Sequence, residues 1–477
     1  MVKLNAWLLL LAILLFETSS RTKASIAIPQ SADAFVDTIG VNTHLSYPNS
    51  CYNNHWETFA KFLIESGIRH IRDSLRDGPQ YYYDRHNYLG RNGIKGVFLT
   101  DNPSRPADLI RNYPQKVPDI FEAYEGVNEY DLKGLSNWVE ITRNWTQFLW
   151  ENHNSSFPVY APSLTSLSAY EALGDVSKWV DYVNMHNYYG TYNPVKGWGP
   201  QTQYGFTGTI DYFKNLTLLQ GGYSKPIITT ETGWQTLPAH VIYWVPEIIQ
   251  ARYTLRSLVL QYMRGISKTY LYEMCDDGEF FGLLRYNSTD NIDSPSPKPV
   301  YRALKGMIQV LSENPKLAIF GLKELSFELR TNETKNANLQ KLWLQKSNGN
   351  KYLLIWQEVF SYNNGIMSFS PVSVNLNVSM EISRVSKYTF DLDGNMSNES
   401  LSFSSNVTFL ASDTMSIIEI VPKESSPITP KVSNSILIPQ QSKNIQPGKS
   451  IRESSSNSLF TFTYLVLLLI FAFVGFQ

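Results

Sequence analysis

The chain has 477 residues, 43% of them hydrophobic and 17% charged, with a formal net charge of −1. That composition excludes a largely disordered chain, and 41 basic against 42 acidic residues leave no overall positive field for a nucleic-acid partner. Two cysteines in so long a chain exclude a disulfide-dense miniprotein.

Residues 1–22 read as a secretory signal: Lys3, the apolar run from Ala6 to Phe16, then the small residues Thr18, Ser19 and Ser20. The run is shorter than the roughly 20 apolar residues of a membrane span.

Between residues 30 and 314, short β-rich runs alternate with longer amphipathic segments. The strand candidates are Val36–Thr43, Ile68–Asp73, Lys95–Thr100, Phe121–Asn128, Val159–Leu164, Tyr182–Asn187, Pro226–Glu231 and Thr269–Met274. Helix candidates are Asn54–Ser66, Leu135–Trp150, Thr209–Leu219, Glu247–Arg264 and Pro299–Leu311. Alternation of this kind implies a parallel sheet. A repeat of about 34 residues suits a closed (β/α)8 TIM barrel. An open doubly wound sheet is the alternative, but a Gly-rich phosphate loop after an early strand is missing.

Residues 315–422 change texture to alternating runs with turn signals at Asn348-Gly349 and Asp393-Gly394, which read as a small antiparallel β-sandwich. Residues 423–458 are rich in Ser, Pro, Asn, Gln and Lys and read as a stalk. Residues 459–477 form an apolar tail with no Lys or Arg after it, preceded by a polar spacer and by the small residues Gly448 and Ser450. That is the layout of a glycolipid (GPI) anchor signal, with a tail-anchored span as the alternative. Asn-x-Ser/Thr sequons, among them Asn144, Asn215, Asn287, Asn332, Asn377 and Asn398, suit passage through the secretory pathway.

In a barrel, the reacting side chains project from the C-terminal ends of the strands. Glu129, after the fourth strand, and Glu231, ending the seventh, are 102 positions apart, three repeats of 34. They therefore fall at equivalent depths across the barrel mouth. Two facing carboxylates are what glycosidic hydrolysis needs. Either one alone would read as a structural ion-pair partner.

With Asn128-Glu129 after the fourth strand, Glu231 ending the seventh, and Phe281-Gly282-Leu283 followed by Lys298-Pro299-Val300-Tyr301 at the end, residues 35–311 resemble the clan A glycoside hydrolases. These are retaining barrel enzymes that include cellulases, mannanases, xylosidases and β-glucanases. The resemblance implies Glu129 as general acid/base and Glu231 as nucleophile. It implies Asn128 as the ligand of the sugar 2-hydroxyl, Arg72 as the partner that keeps the nucleophile ionised, and His186 and Tyr188 as the His-x-Tyr pair beside it. Two departures point away from a plain cellulase. Leu99-Thr100-Asp101-Asn102 stands where many members carry a histidine, and Tyr272-Glu273 where many carry a tryptophan. Glu273 or Asp276 is then expected to contact a sugar hydroxyl or to balance a basic group.

Trp234 and Trp198 are candidate sugar-stacking faces, with packing as the alternative. His44 either lines the mouth as a substrate ligand or packs. Cys51 follows the first strand and Cys275 ends the eighth, neighbours in a closed barrel, so a disulfide is expected in an oxidising compartment, with two buried thiols as the alternative. HExxH and Cys-x-x-Cys spacings are missing, so no metal and no other cofactor is expected. The sequence thus reads as a secreted, surface-anchored retaining glycosidase. Its expected partners are a β-linked glycan and, through a lipid anchor, the membrane. The alternatives are a glucan-remodelling transglycosylase and a non-catalytic carbohydrate-binding protein.

Overall fold

The computed structural model describes residues 25–196, 208–236, 244–286, 294–313, 321–331 and 338–423, except 364, 368 and 405. The signal, stalk and tail segments, Trp198 and the sequons at Asn287 and Asn332 lie outside the described residues. Among the described residues no helix is long and apolar enough to cross a membrane.

Eight parallel strands form one sheet: Ile39–Asn42, His70–Ser74, Lys95–Leu99, Phe121–Glu125, Val159–Tyr160, Val183–His186, Ile227–Thr232 and Thr269–Leu271. The first strand pairs with the eighth through Gly40↔Tyr270. The fifth and sixth meet at the parallel bridge Tyr160↔Tyr182, which closes the barrel. Val97, Ala123, Tyr160, Ile228 and Tyr270 pack together as a small cluster apart from the main core. Gly40 is required there, because a Cβ would overlap the ring of Tyr270.

The helices lie outside. Pro299–Leu311 follows the expectation residue for residue, with Pro299 opening its first turn. Val300, Ala303, Leu304, Met307, Ile308 and Leu311 make its buried stripe. Five α-helices among the described residues went unread, of which Ala32–Val36 and Cys51–Asn54 are five residues or shorter. Gln80–Arg91 buries Tyr82, Tyr83, His86 and Leu89, a mostly polar-ringed face that an aliphatic pattern does not flag. Ala107–Lys116 carries Pro114 inside it, and Leu167–Leu173 is short.

The second domain is a sandwich of two sheets. It is not built from residues 315–422 alone. Ser25–Ala27 pairs antiparallel with Leu325–Thr331, and Gln30–Ser31 pairs with the end of Leu339–Gln345, so the start of the described chain belongs to the sandwich. Gly349 and Gly394 both take positive φ, as their turn signals anticipate. Gly394 also lies against the Pro299 carbonyl, where a Cβ would clash.

Arg256 joins the two domains. It is fully buried on the helix Glu247–Met263. Its guanidinium donates to the carbonyls of Asp413 and Val359 and to Ser361 Oγ, and Glu358 lies 3.6 Å away. A buried cation with each guanidinium nitrogen hydrogen-bonded fixes an interface. Removing it strands buried acceptors and an uncompensated Glu358. Arg256→Ala is expected to lower stability by about 3 kcal/mol or more, read as a drop in thermal midpoint. A midpoint within a degree of wild type would contradict this role.

Candidate active site

The C-terminal ends of the strands open on a cavity of about 560 Å³, lined among others by Asn42, His44, Arg72, Asn128, Glu129, Tyr188, Glu231 and Tyr272. Arg72 organises its floor. Successive strand residues face opposite sides, so Arg72 does not pair with Asp73. Its Nε and Nη2 donate to the two oxygens of Glu125 at 2.7 and 2.9 Å. Nη1 donates to Glu231 Oε1 at 2.6 Å and to Asn42 Oδ1 at 2.9 Å. Nη2 also donates to Asn128 Oδ1 at 2.8 Å. Four strand ends thus meet on one guanidinium, the planar fork suited to such bidentate pairing.

The two carboxylates sit in unequal surroundings. The Glu231 side chain is 9% exposed and receives the Tyr188 hydroxyl at 2.8 Å as well as Arg72. Burial pushes its pKa up. The positive charges of His186 and Arg72, with the hydrogen bonds from Tyr188 and Arg72, outweigh burial and hold the carboxyl below its usual range. Glu129 is 21% exposed. Its backbone adopts φ 44°, ψ 47°, a left-handed conformation disfavoured for a residue with a Cβ. Its amide bonds to the Ser163 carbonyl and hydroxyl, both at 3.2 Å, which hold that turn in place.

His186 bridges the pair. Its Nδ1 lies 2.7 Å from Glu129 Oε1 and 3.6 Å from Glu231 Oε2, and its Nε2 lies 2.9 Å from Thr230 Oγ1. Burial lowers its pKa, but the two carboxylates more than offset this and raise it. One oxygen of Glu129 and one of Glu231 lie within 4.8 Å of each other.

Tyr272 lines the cavity, with Phe281 meeting it edge-on at 5.7 Å and Tyr188 at 5.6 Å. His44 also lines it, stacked on Tyr47 at 4.4 Å. Cys51 and Cys275 form a disulfide across the closing seam, with their Cα atoms 6.6 Å apart.

Two expectations are corrected. Trp234 is no stacking face: it is 1% exposed, its ring lies flat on Tyr189 at 4.5 Å, and its Nε1 donates to the Tyr192 carbonyl. It stands an odd number of residues beyond Glu231, so the strand's alternation turns it toward the helices. Glu273 does not line the cavity. It is fully buried and accepts the Tyr52 hydroxyl at 2.8 Å, and burial beside Asp277 raises its pKa well above the usual range. Asp276 balances a basic group, the buried Lys298 at 2.8 Å, and its Oδ1 also receives the Gly282 amide, beside pocket-lining Phe281.

Sequence reasoning missed Glu125, Asn42, Asn184 and Thr230. Asn184 Nδ2 donates to Glu125 Oε1 at 3.1 Å and to Thr230 Oγ1 at 2.8 Å, so a polar network underlies both carboxylates. The available signal was Glu125 itself, a second acid beside Glu122 in the short strand Phe121–Glu125, and fully buried. Asp101, Lys133, Gln235 and Glu279 also line the cavity from loops.

No family model matches the chain, and no curated protein sequence matches it. Solved structures do. An arabinofuranosidase superposes with a TM-score of 0.58 at 11% identity, over 83% of this chain and 100% of that one. A glucosidase from Croceicoccus marinus gives 0.53 at 9% identity, over 84% of this chain and 99% of that one. At such identities the likeness concerns the fold. A (β/α)8 barrel followed by a β-rich domain is shared with two glycoside hydrolases, and it agrees with the clan A architecture that the sequence resembles.

Proposed function

We propose that the protein is a retaining glycoside hydrolase that cleaves β-linked oligo- or polysaccharides, with Glu231 as nucleophile and Glu129 as general acid/base. The observation that carries this reading is the unequal pair at the barrel mouth: one carboxylate held ionised by Arg72 and Tyr188, the other more open and bonded to His186. Carboxylate oxygens within 4.8 Å suit the close spacing of a retaining pair, about 5–5.5 Å between carboxyl groups, better than the wider inverting spacing. The shared fold with an arabinofuranosidase and a glucosidase supports the reaction class, and the clan A resemblance supports the β-linkage.

In the first step a Glu231 oxygen attacks the anomeric carbon. The bond to the leaving oxygen breaks and Glu129 supplies its proton, leaving a glycosyl ester on Glu231. In the second, Glu129 takes a proton from water as that water attacks the anomeric carbon, and Glu231 leaves as carboxylate. A sugar hydroxyl in place of water would give transglycosylation by the same residues. Asn128, fixed by Arg72 and by Ser163 Oγ at 3.2 Å, suits a hydroxyl next to the reacting carbon. Tyr272 and Phe281 offer the aromatic wall that Trp234 does not.

We also read the enzyme as exported and held at the cell surface by a lipid anchor. The Cys51–Cys275 disulfide and the exposed sequon asparagines Asn144, Asn215, Asn377 and Asn398 support passage through an oxidising secretory compartment.

Two outcomes are expected. In a screen of β-linked glycans, the wild-type protein releases reducing sugar, and Glu231→Gln loses at least about 10³-fold in kcat/KM. Activity surviving in that variant would sink the nucleophile assignment, and binding without turnover in wild type would favour a carbohydrate-binding protein. The second outcome concerns pH. A nucleophile must be ionised, so activity falls as pH drops through the Glu231 pKa. Tyr188→Phe removes a hydrogen bond to the charged form and therefore raises that pKa. The acid limb of its kcat/KM profile should move to higher pH, and an unmoved limb would contradict the coupling.

A further inference from the structure

A second cluster stands at the seam where the barrel closes. His44 follows the first strand, and Glu273 and Asp277 follow the eighth. An imidazole nitrogen of His44 and one carboxylate oxygen each of Glu273 and Asp277 all lie within 4.8 Å of one another. Glu273 is fully buried, and its Oε1 accepts no hydrogen bond from a donor group among the described residues, its carboxyl meeting that of Asp277 instead. His44 Nε2 is likewise unpartnered, 3.5 Å from Glu273 Oε2. The Tyr52 hydroxyl occupies Oε2, so Oε1 is the oxygen left open. Among the described residues, His44 is the basic group that faces Glu273, and no lysine or arginine pairs with either carboxylate.

Two carboxyl groups packed together, one of them fully buried, beside an imidazole without a hydrogen bond at Nε2 and with no guanidinium or ammonium, cannot both ionise without cost as they stand. A cation satisfies all three at once. We propose that His44, Glu273 and Asp277 form a binding site for one divalent transition-series cation, Zn²⁺ or Mn²⁺. A nitrogen donor beside two carboxylates suits these ions, whereas Ca²⁺ and Mg²⁺ favour all-oxygen shells. Glu129, His186 and Glu231 are equally close together, but they are spoken for: the Arg72 guanidinium lies 2.6 Å from Glu231 and supplies the positive charge there.

The site borders the catalytic cavity without sharing its carboxylates, since His44 and its neighbour Tyr272 line that cavity while Glu273 lies behind them. The bound cation joins the loops after the first and eighth strands. The Cys51–Cys275 disulfide and the Tyr52 hydroxyl, which accepts the Cys275 amide at 3.1 Å, join the same two loops. The site's existence does not depend on the glycosidase reading.

The test uses the full chain, stripped with chelator and titrated with ZnCl2, MnCl2 or CaCl2 alone by calorimetry, with metal content read by plasma mass spectrometry. One equivalent of Zn²⁺ or Mn²⁺ should bind with micromolar or tighter affinity, Ca²⁺ more weakly, and the thermal midpoint should rise with free metal. Asp277 is partly exposed, so Asp277→Asn is expected to keep the wild-type circular dichroism spectrum while weakening binding by at least about tenfold, and His44→Ala should weaken it likewise. Glu231→Gln should bind as wild type does. Absence of binding at millimolar metal, or unchanged affinity in Asp277→Asn, would overturn the site. So would loss of binding in Glu231→Gln alone, which would move the ion to the carboxylate pair.

Discussion

The site depends on one buried cation. Arg72 is 3% exposed, and its five N–H groups are divided among Glu125, Glu231, Asn42 and Asn128. A buried ion pair contributes little net stability, because desolvation of both partners cancels much of the attraction. What it does supply is position and charge state. Glu125 below the guanidinium orients it and is itself held by Asn184 and Thr230. With the fork fixed, Glu231 and Asn128 are held where its N–H groups reach them.

The difference between the two carboxylates follows from that arrangement. Glu231 lies inside the field of Arg72 and receives Tyr188, so the charged form is favoured despite burial. Glu129 lies beyond the guanidinium, on a left-handed turn that lifts its side chain toward the cavity, with His186 as its near partner. An acid/base group has to exchange protons with solvent and substrate, and a nucleophile has to stay charged. The same pair of residue types meets both needs because their surroundings differ. The sandwich serves this barrel indirectly: Arg256 locks it against the helix Glu247–Met263, the helix that follows the strand carrying Glu231.

Much of this was legible in the sequence. The eight barrel strands were found because buried parallel strands read as short β-branched runs at a steady repeat, and the repeat then put Glu129 and Glu231 at matching depths. What was hidden is what depends on cross-strand geometry. Asn42 and Glu125 look like isolated polar residues until strand register brings them to Arg72. The pairing of Ser25–Ala27 and Gln30–Ser31 with the sandwich joins segments some 300 residues apart along the chain, with no local signal. Trp234 was read by residue type where strand parity should have decided. His44, Glu273 and Asp277 carry no metal-like spacing, because closure of the barrel is what brings their strands together.

The central claim is that Glu231 forms a covalent bond to the sugar while Glu129 handles the proton. It is tested most directly by the anomeric configuration of the first product, followed by proton NMR from the moment enzyme is added to a cleaved β-glycan. Two displacements at one carbon predict that the β-anomer appears first and relaxes to the equilibrium mixture by mutarotation. Initial release of the α-anomer would contradict the account, because it requires a single displacement by water and leaves Glu231 no role as nucleophile.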